Sequence, residues 1–122
     1  MPKRKSHKKK KPNLLERALE GDVKAMYSLG EKIYNERNSE WHDPNDPKVF
    51  AEAFMWFTLA AEGGDLRAIE KLGFMYATGQ GVDKNFSKGI NLLKEAEEKG
   101  SKDAGGLAQV LQNISKKFDD KK

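Results

Sequence analysis

Asp65 to Gly100, with the sequence DLRAIEKLGFMYATGQGVDKNFSKGINLLKEAEEKG, has the pattern of one complete helix–turn–helix unit. The motif Gly64-Asp65-Leu66-Arg67-Ala68 at its start returns as Gly21-Asp22-Val23-Lys24-Ala25 and, more weakly, as Gly100-Ser101-Lys102-Asp103-Ala104. Ala25 and Ala68 are 43 residues apart, and Ala68 and Ala104 are 36 residues apart. A repeat of roughly 20 to 50 residues is the signature of a stacked solenoid. The rest of the chain is therefore expected to be further copies of this unit or attachments to it.

Apolar residues at helical spacing predict six helices and no strand. Their expected ranges are 14–20, 23–37, 48–62, 66–77, 86–99 and 102–118. Asn13 is a suitable N-cap for the first helix, which ends at Gly21. Residues 38–47 interrupt the pattern with two prolines and several Asp and Asn residues, so the seven extra residues of the longer unit are expected there. Gly30 and Gly73 lie inside helical patterns, where we expect them to allow a paired helix to approach closely.

Two copies of the unit share small, aromatic and turn residues. In the second copy these are Ala68, Leu72-Gly73, Tyr76, Gly79-Gln80-Gly81-Val82, Asp83, Lys88 and Ala96 with Gly100; in the copy before it they are Ala25, Leu29-Gly30, Ala53, Trp56-Phe57, Ala60-Ala61-Glu62 and Gly64. This set resembles the Sel-one-like repeat, a relative of the tetratricopeptide repeat. The resemblance implies an all-α, right-handed αα-solenoid over residues 13–118, with two full repeats flanked by half-repeats.

The chain departs from the family pattern at three positions. Gly89 stands where the family prefers alanine, Gln109 where a glycine is expected and Ile33 where a tyrosine is expected. The third copy is therefore expected to be a half-repeat that caps the stack.

The basic charge is concentrated in residues 1–12, which contain seven basic residues and no acid. They are Lys3, Arg4, Lys5, Lys8, Lys9, Lys10 and Lys11. The remaining residues contain 16 basic and 19 acidic side chains, so the repeat region is slightly acidic. We expect residues 1–12, and also 119–122, to be disordered. The basic tail is either a solubilising end, an electrostatic contact for nucleic acid, ribosomal RNA or an anionic membrane, or a targeting signal.

Catalysis, cofactors and metals find little support in the sequence. There is no cysteine, which excludes disulfides and zinc–thiolate sites and fits a cytoplasmic protein. Glu40, His42, Asp43 and Asp46 could be imagined as a metal site, but Asp and Asn beside proline are typical of turns. The segment Gly79-Gln80-Gly81 lacks the Lys–Ser/Thr ending of a phosphate loop and is expected to be the turn between two helices. No membrane span is expected, because no apolar run is long enough.

The resemblance to tetratricopeptide repeats implies a concave face that binds a peptide segment. The positions that match are Lys24, Tyr27, Glu31 and Tyr34, then Arg67, Glu70, Phe74 and Thr78, and finally Asp103, Val110 and Ile114. We expect Tyr27 and Phe74 to serve the groove rather than the core; the alternative is that the whole set is merely exposed to solvent. Trp41 either packs near Phe50 or contacts a partner.

The function expected is a protein–protein interaction adaptor that is a monomer or weak dimer. If Gly105-Gly106 frays the last helix enough to expose Leu107 and Leu111, these two residues would form a dimer surface. The alternative is a nucleic-acid- or ribosome-associated protein that is anchored by its basic tail.

Overall fold

The computed structural model describes residues 11–36 and 46–120, with side chains described as far as residue 117. Every regular element in these ranges is a helix. The helices are α1 (Leu14–Leu19), α2 (Val23–Glu36), α3 (Pro47–Glu62), α4 (Leu66–Thr78), α5 (Phe86–Glu98) and α6 (Lys102–Asp120). The six predicted helices are confirmed, and their first and last residues agree with the expectation to within one residue except at the end of α6. Helix α6 continues two residues beyond its predicted end, and Arg37 lies outside the described residues.

The repeated Gly–Asp motif ends one helix and begins the next. Gly64 has a φ of +96°, and the N–H of Asp65 donates to the carbonyl of Ala60 at 3.0 Å. This bond, which spans five residues, is typical of a Schellman helix end. The Asp65 carboxylate then caps α4 by accepting from the backbone N–H of Ala68 at 3.3 Å. Gly21-Asp22 repeats the arrangement between α1 and α2, so each motif sets a sharp helix-to-helix corner.

Capping also fixes the beginning of α1, as the sequence predicts. The Asn13 side chain accepts from the backbone N–H of Glu16 at 2.8 Å, and the Glu16 carboxylate accepts from the backbone N–H of Asn13 at 2.8 Å. This reciprocal capping box satisfies two N–H groups that a short helix would otherwise leave without partners.

The helices stack in sequence, and the extensive contacts join α1 to α2, α2 to α3, and so on to α6. Three buried clusters follow one another along the stack. They are Ala18, Ala25 and Trp56; then Tyr27, Tyr34, Ala53, Phe57, Ala60, Ala68, Leu72 and Met75; and then Ile69, Ile90, Leu93, Ala96, Ala104 and Ala108. The fold is therefore a helical solenoid in which each helix is covered mainly by its chain neighbours.

The helix-internal glycines mark close crossings, as expected. A methyl group on Gly30 would lie 2.9 Å from Cε1 of Phe57, and one on Gly73 would lie 3.0 Å from the carbonyl oxygen of Gly89. Gly89 itself leaves no room, because a methyl group there would lie 2.6 Å from the carbonyl oxygen of Gly73. The departure from alanine at Gly89 therefore has a packing reason: α4 and α5 cross with glycine against glycine.

Candidate protein-binding groove

Residues of α2, α4 and α6, with three more from α5 and the turn before it, line two adjoining cavities, which we call together the inner groove. The tyrosine section, of about 350 Å³, is lined by Tyr27, Tyr34, Arg67, Glu70, Lys71, Phe74 and Leu107. The apolar section, of about 550 Å³, is lined by Phe74, Ala77, Thr78, Lys84, Phe86, Leu93, Leu107, Val110, Leu111 and Ile114. Phe74 and Leu107 belong to both sections, so the two cavities form one surface.

Two basic side chains lie over the rings of the tyrosine section. The guanidinium carbon of Arg67 is 4.1 Å from the centre of the Tyr27 ring, and the Lys71 ammonium is 5.4 Å from the centre of the Tyr34 ring. Both distances are within the range of cation–π attraction. Arg67 also pairs with the Asp65 carboxylate at 2.9 Å, and this hydrogen bond raises the pKa of the guanidinium. Arg67 is therefore fixed at the groove from two sides.

Tyr27 combines a buried ring with a hydroxyl near a carboxylate. Its hydroxyl donates to Glu31 at 3.1 Å. Burial raises the pKa of Tyr27 to about 12, and the negative charge of Glu31 acts in the same direction. At neutral pH the phenol is thus a neutral donor, and Glu31 is occupied within its own helix.

Both tyrosines are core residues as well as groove residues, which corrects the expectation for Tyr27. Tyr27 is 7% exposed and Tyr34 is 8% exposed. Their ring centres lie 5.6 and 6.4 Å from that of Phe57, and Tyr34 also packs on Phe50 at 5.7 Å. The Tyr34 hydroxyl donates to the side chain of Gln80, in the turn between α4 and α5, at 2.7 Å. These rings are the floor of the groove, and truncating them would disturb the core.

The apolar section exposes large apolar side chains. Phe74 is 44% exposed, Leu107 42%, Val110 53% and Ile114 37%. The three residues of α6 follow one another at spacings of three and four, so they form a stripe along one helix face. Because α6 turns this stripe toward Phe74 on α4, Leu107 and Leu111 line the groove together with Phe74.

Most of the residues predicted from the resemblance lie along this surface. Tyr27, Tyr34, Arg67, Glu70 and Phe74 line the tyrosine section, and Phe74, Thr78, Val110 and Ile114 line the apolar section. Lys24, Glu31 and Asp103 line neither section.

Sequence reasoning missed Lys71 and Lys84 and gave Leu107 a different role. A signal existed for Lys71, which stands four residues after Arg67 and three before Phe74 and so shares their helix face. Leu107 follows Ala104 by three residues, just as Lys71 follows Ala68.

Equivalent positions of the three helices differ in polarity. Counted from the shared alanine, the third, sixth and tenth positions are Ser28, Glu31 and Asn35 in α2; Lys71, Phe74 and Thr78 in α4; and Leu107, Val110 and Ile114 in α6. This face is polar on α2, mixed on α4 and apolar on α6. Of these positions only those on α4 and α6 line the groove, so its lining becomes more apolar from α4 to α6.

Other expected sites fall largely outside the described residues. Lys3, Arg4, Lys5, Lys8, Lys9 and Lys10 of the basic tail do so, as do Glu40, Trp41, His42 and Asp43. Asp46 is described, and its carboxylate caps α3 by accepting from the backbone N–H of Lys48 at 2.9 Å. Residues 11–36 and 46–120 contain no cluster of three or more His, Cys, Asp or Glu side chains suited to a metal ion. In the same ranges no helix combines the length and apolar character needed to cross a membrane.

A comparison with protein families matches this architecture. The model described as Sel1 repeat matches residues 23–65 and again residues 66–101, together about two thirds of the chain. The first match contains α2 and α3 and the second contains α4 and α5, so each matched repeat is one inner helix with its partner.

Proposed function

Because the chain belongs to the Sel1 repeat family, whose repeats generally mediate protein–protein interaction, we propose that it is an interaction adaptor that holds a segment of a partner protein in the inner groove. The contact surface is the stripe of α6 together with Phe74 and the tyrosine floor. The protein acts by binding and not by catalysis, in keeping with a family that is generally non-enzymatic.

The observation that supports this proposal is the exposed apolar stripe of α6 inside a groove. Contiguous exposed apolar surface is typical of interaction sites, because leaving it in water is unfavourable. The neighbouring Tyr27 and Arg67 are of the residue types that dominate binding energy at interfaces. A rigid floor also lowers the entropy lost on binding, since its side chains are already ordered.

The test is affinity capture from the native lysate with two matched double variants. Val110→Gln/Ile114→Gln makes two exposed groove positions polar, and Met55→Gln/Leu59→Gln does the same to a pair on α3 that lines neither section. Both pairs have a spacing of four residues on a helix and similar exposure. Partner proteins captured by the wild type and by the α3 variant, but lost with the groove variant, support the proposal. Equal capture by all three proteins contradicts it.

The basic tail supports a second candidate function, attachment to nucleic acid or the ribosome. If all seven basic residues contact duplex phosphates, the logarithm of the binding constant should fall against the logarithm of the salt concentration with a slope of about −6. The full chain with these seven residues changed to Gln should then no longer capture the material that nuclease treatment removes from the wild type. A flat salt dependence would exclude this function and leave the groove as the binding surface.

A further inference from the structure

The lining of the inner groove has an excess of positive charge, although the repeat region as a whole is slightly acidic. Arg67, Lys71 and Lys84 line it, with Glu70 as the single carboxylate among the described lining residues. By contrast, residues 13–122 contain 16 basic and 19 acidic side chains. The positive lining is therefore a local property of the groove, which makes it informative about what binds there.

Two of these four charged groups, Arg67 and Glu70, are already paired with other side chains of the protein. Arg67 pairs with Asp65, and the Glu70 carboxylate accepts a hydrogen bond from the Ser101 hydroxyl. Lys71 and Lys84 form no ion pair within the described part of the chain.

Aromatic rings place both ammonium groups at the groove. That of Lys71 lies 5.4 Å from the centre of the Tyr34 ring, and that of Lys84 lies 4.9 Å from the centre of the Phe86 ring. One lysine therefore stands in each section, without a carboxylate partner among the described residues.

We propose that the occupant of the inner groove is an acidic, amphipathic segment of a partner protein. Its large apolar side chains pack on Phe74, Leu107 and Val110, and its carboxylates pair with Lys71 and Lys84. This inference rests on the proposed function and adds the chemistry of the partner. Apolar contacts supply most of the affinity, while the two lysines select acidic segments and set their direction across the groove.

Charge complementarity disfavours two other occupants. The chain's own N-terminal tail brings seven basic residues and would meet Lys71 and Lys84 as like charges. A second copy that docks groove to groove about a two-fold axis would bring the same two lysines with it. An acidic segment would be attracted instead, because its carboxylates are opposite in charge to both lysines.

The test is selection from a random peptide library displayed on phage. The bait is the full chain with its seven tail residues changed to Gln, so that the tail cannot collect acidic peptides. A second bait adds Lys71→Glu/Lys84→Glu. A control bait adds Lys48→Glu/Lys94→Glu, which changes the net charge equally at two exposed lysines that line neither section. Circular dichroism and thermal melting verify that every bait is folded.

We expect the parent bait and the control bait to select peptides rich in both acidic and large apolar residues. The Lys71→Glu/Lys84→Glu bait should lose the acidic preference. The best selected peptide, made synthetically and measured by fluorescence anisotropy, should bind this variant roughly tenfold more weakly, since two partly exposed attractions become repulsions.

The remaining outcomes separate the two proposals. Selected peptides without acidic enrichment, or with an enrichment that survives Lys71→Glu/Lys84→Glu, overturn the inference and leave the adaptor function standing. If adding Val110→Gln/Ile114→Gln to the parent changes nothing in what is selected, the groove is not the binding site and both proposals are wrong. If light scattering shows a dimer that Val110→Gln/Ile114→Gln dissociates, the occupant is a second copy and the inference is wrong.

Discussion

Changing glycine to alanine should have opposite effects on stability at the crossing of α4 and α5 and at an open position of α6. In Gly89→Ala the added methyl would lie 2.6 Å from the carbonyl oxygen of Gly73 and 3.2 Å from the backbone nitrogen of Ala77. Both are backbone atoms of a helix and cannot turn away as a flexible side chain could. In Gly106→Ala the methyl meets no atom of the described residues within 4 Å, and Gly106 lies inside α6.

The magnitudes follow from two terms. Alanine is favoured over glycine in a helix by about 1 kcal/mol, a gain available at both positions. At Gly89 the two helices must also move apart, and overpacking of this kind costs about 1–3 kcal/mol. We therefore expect Gly106→Ala to raise the free energy of unfolding by about 1 kcal/mol, and Gly89→Ala to lower it by about 1 kcal/mol.

Urea denaturation followed by circular dichroism measures both changes, since the slope of the transition shows whether the compactness of either state has altered. Thermal melting should show shifts of about 4 °C or more in opposite directions. If Gly89→Ala stabilises the protein as much as Gly106→Ala does, the helices have room for the alanine that the family pattern prefers. The glycine-against-glycine crossing would then be refuted.

Four further substitutions test the roles of the groove and of the corner between α3 and α4. Tyr27→Ala should lower the free energy of unfolding by about 3 kcal/mol or more, because Tyr27 is buried. Phe74→Ala should lower it by only about 1 kcal/mol, because Phe74 is 44% exposed. Equal losses in urea denaturation would contradict the assignment of Tyr27 to the core and Phe74 to the surface of the groove. Because the pKa of Tyr27 is raised to about 12, the fold favours the neutral phenol, so this stabilisation is complete below pH 10 and is lost as pH rises toward 12. Stability measured across that range should fall less steeply in Tyr27→Phe than in the wild type, and parallel profiles would rule out a raised pKa. Asp65→Ala removes the cap of α4 and the ion pair with Arg67, so melting should show a loss of about 1–2 kcal/mol, and an unchanged melting temperature would mean that the corner does not depend on the carboxylate.

The sequence predicts the helices well because their boundaries depend on local chemistry. A glycine with positive φ followed by a capping aspartate, as at Gly64-Asp65, needs no tertiary information to end one helix and begin another. Residues that approach a second helix are harder to predict. Gly89 looks like a simple departure from the family pattern until the carbonyl of Gly73 is seen to lie beside it.

The candidate site could be predicted only in part, because helical spacing gives a face and not the depth at which a side chain lies. Tyr27 and Tyr34 lie on the groove side of α2, yet Phe57 on the next helix covers their rings. Lys84 lies in the turn that precedes α5, where no helical periodicity applies, and it reaches the groove through the packing of Phe86. Pairings between distant segments therefore decide which residues of a correctly predicted face are accessible.

Gln109 distinguishes α6 from α2 and α4, which have glycine at the matching position. Gly30 and Gly73, the matching positions in α2 and α4, admit the partner helices α3 and α5. On α6 the Gln109 amide instead donates to the Asn113 side chain at 3.2 Å, and both residues are exposed. A helix that crossed α6 as α3 crosses α2 would have to displace this polar pair. Gln109 and Asn113 thus lie on an exposed part of α6, while its large apolar residues turn toward Phe74, so the last described helix provides the apolar edge of the groove.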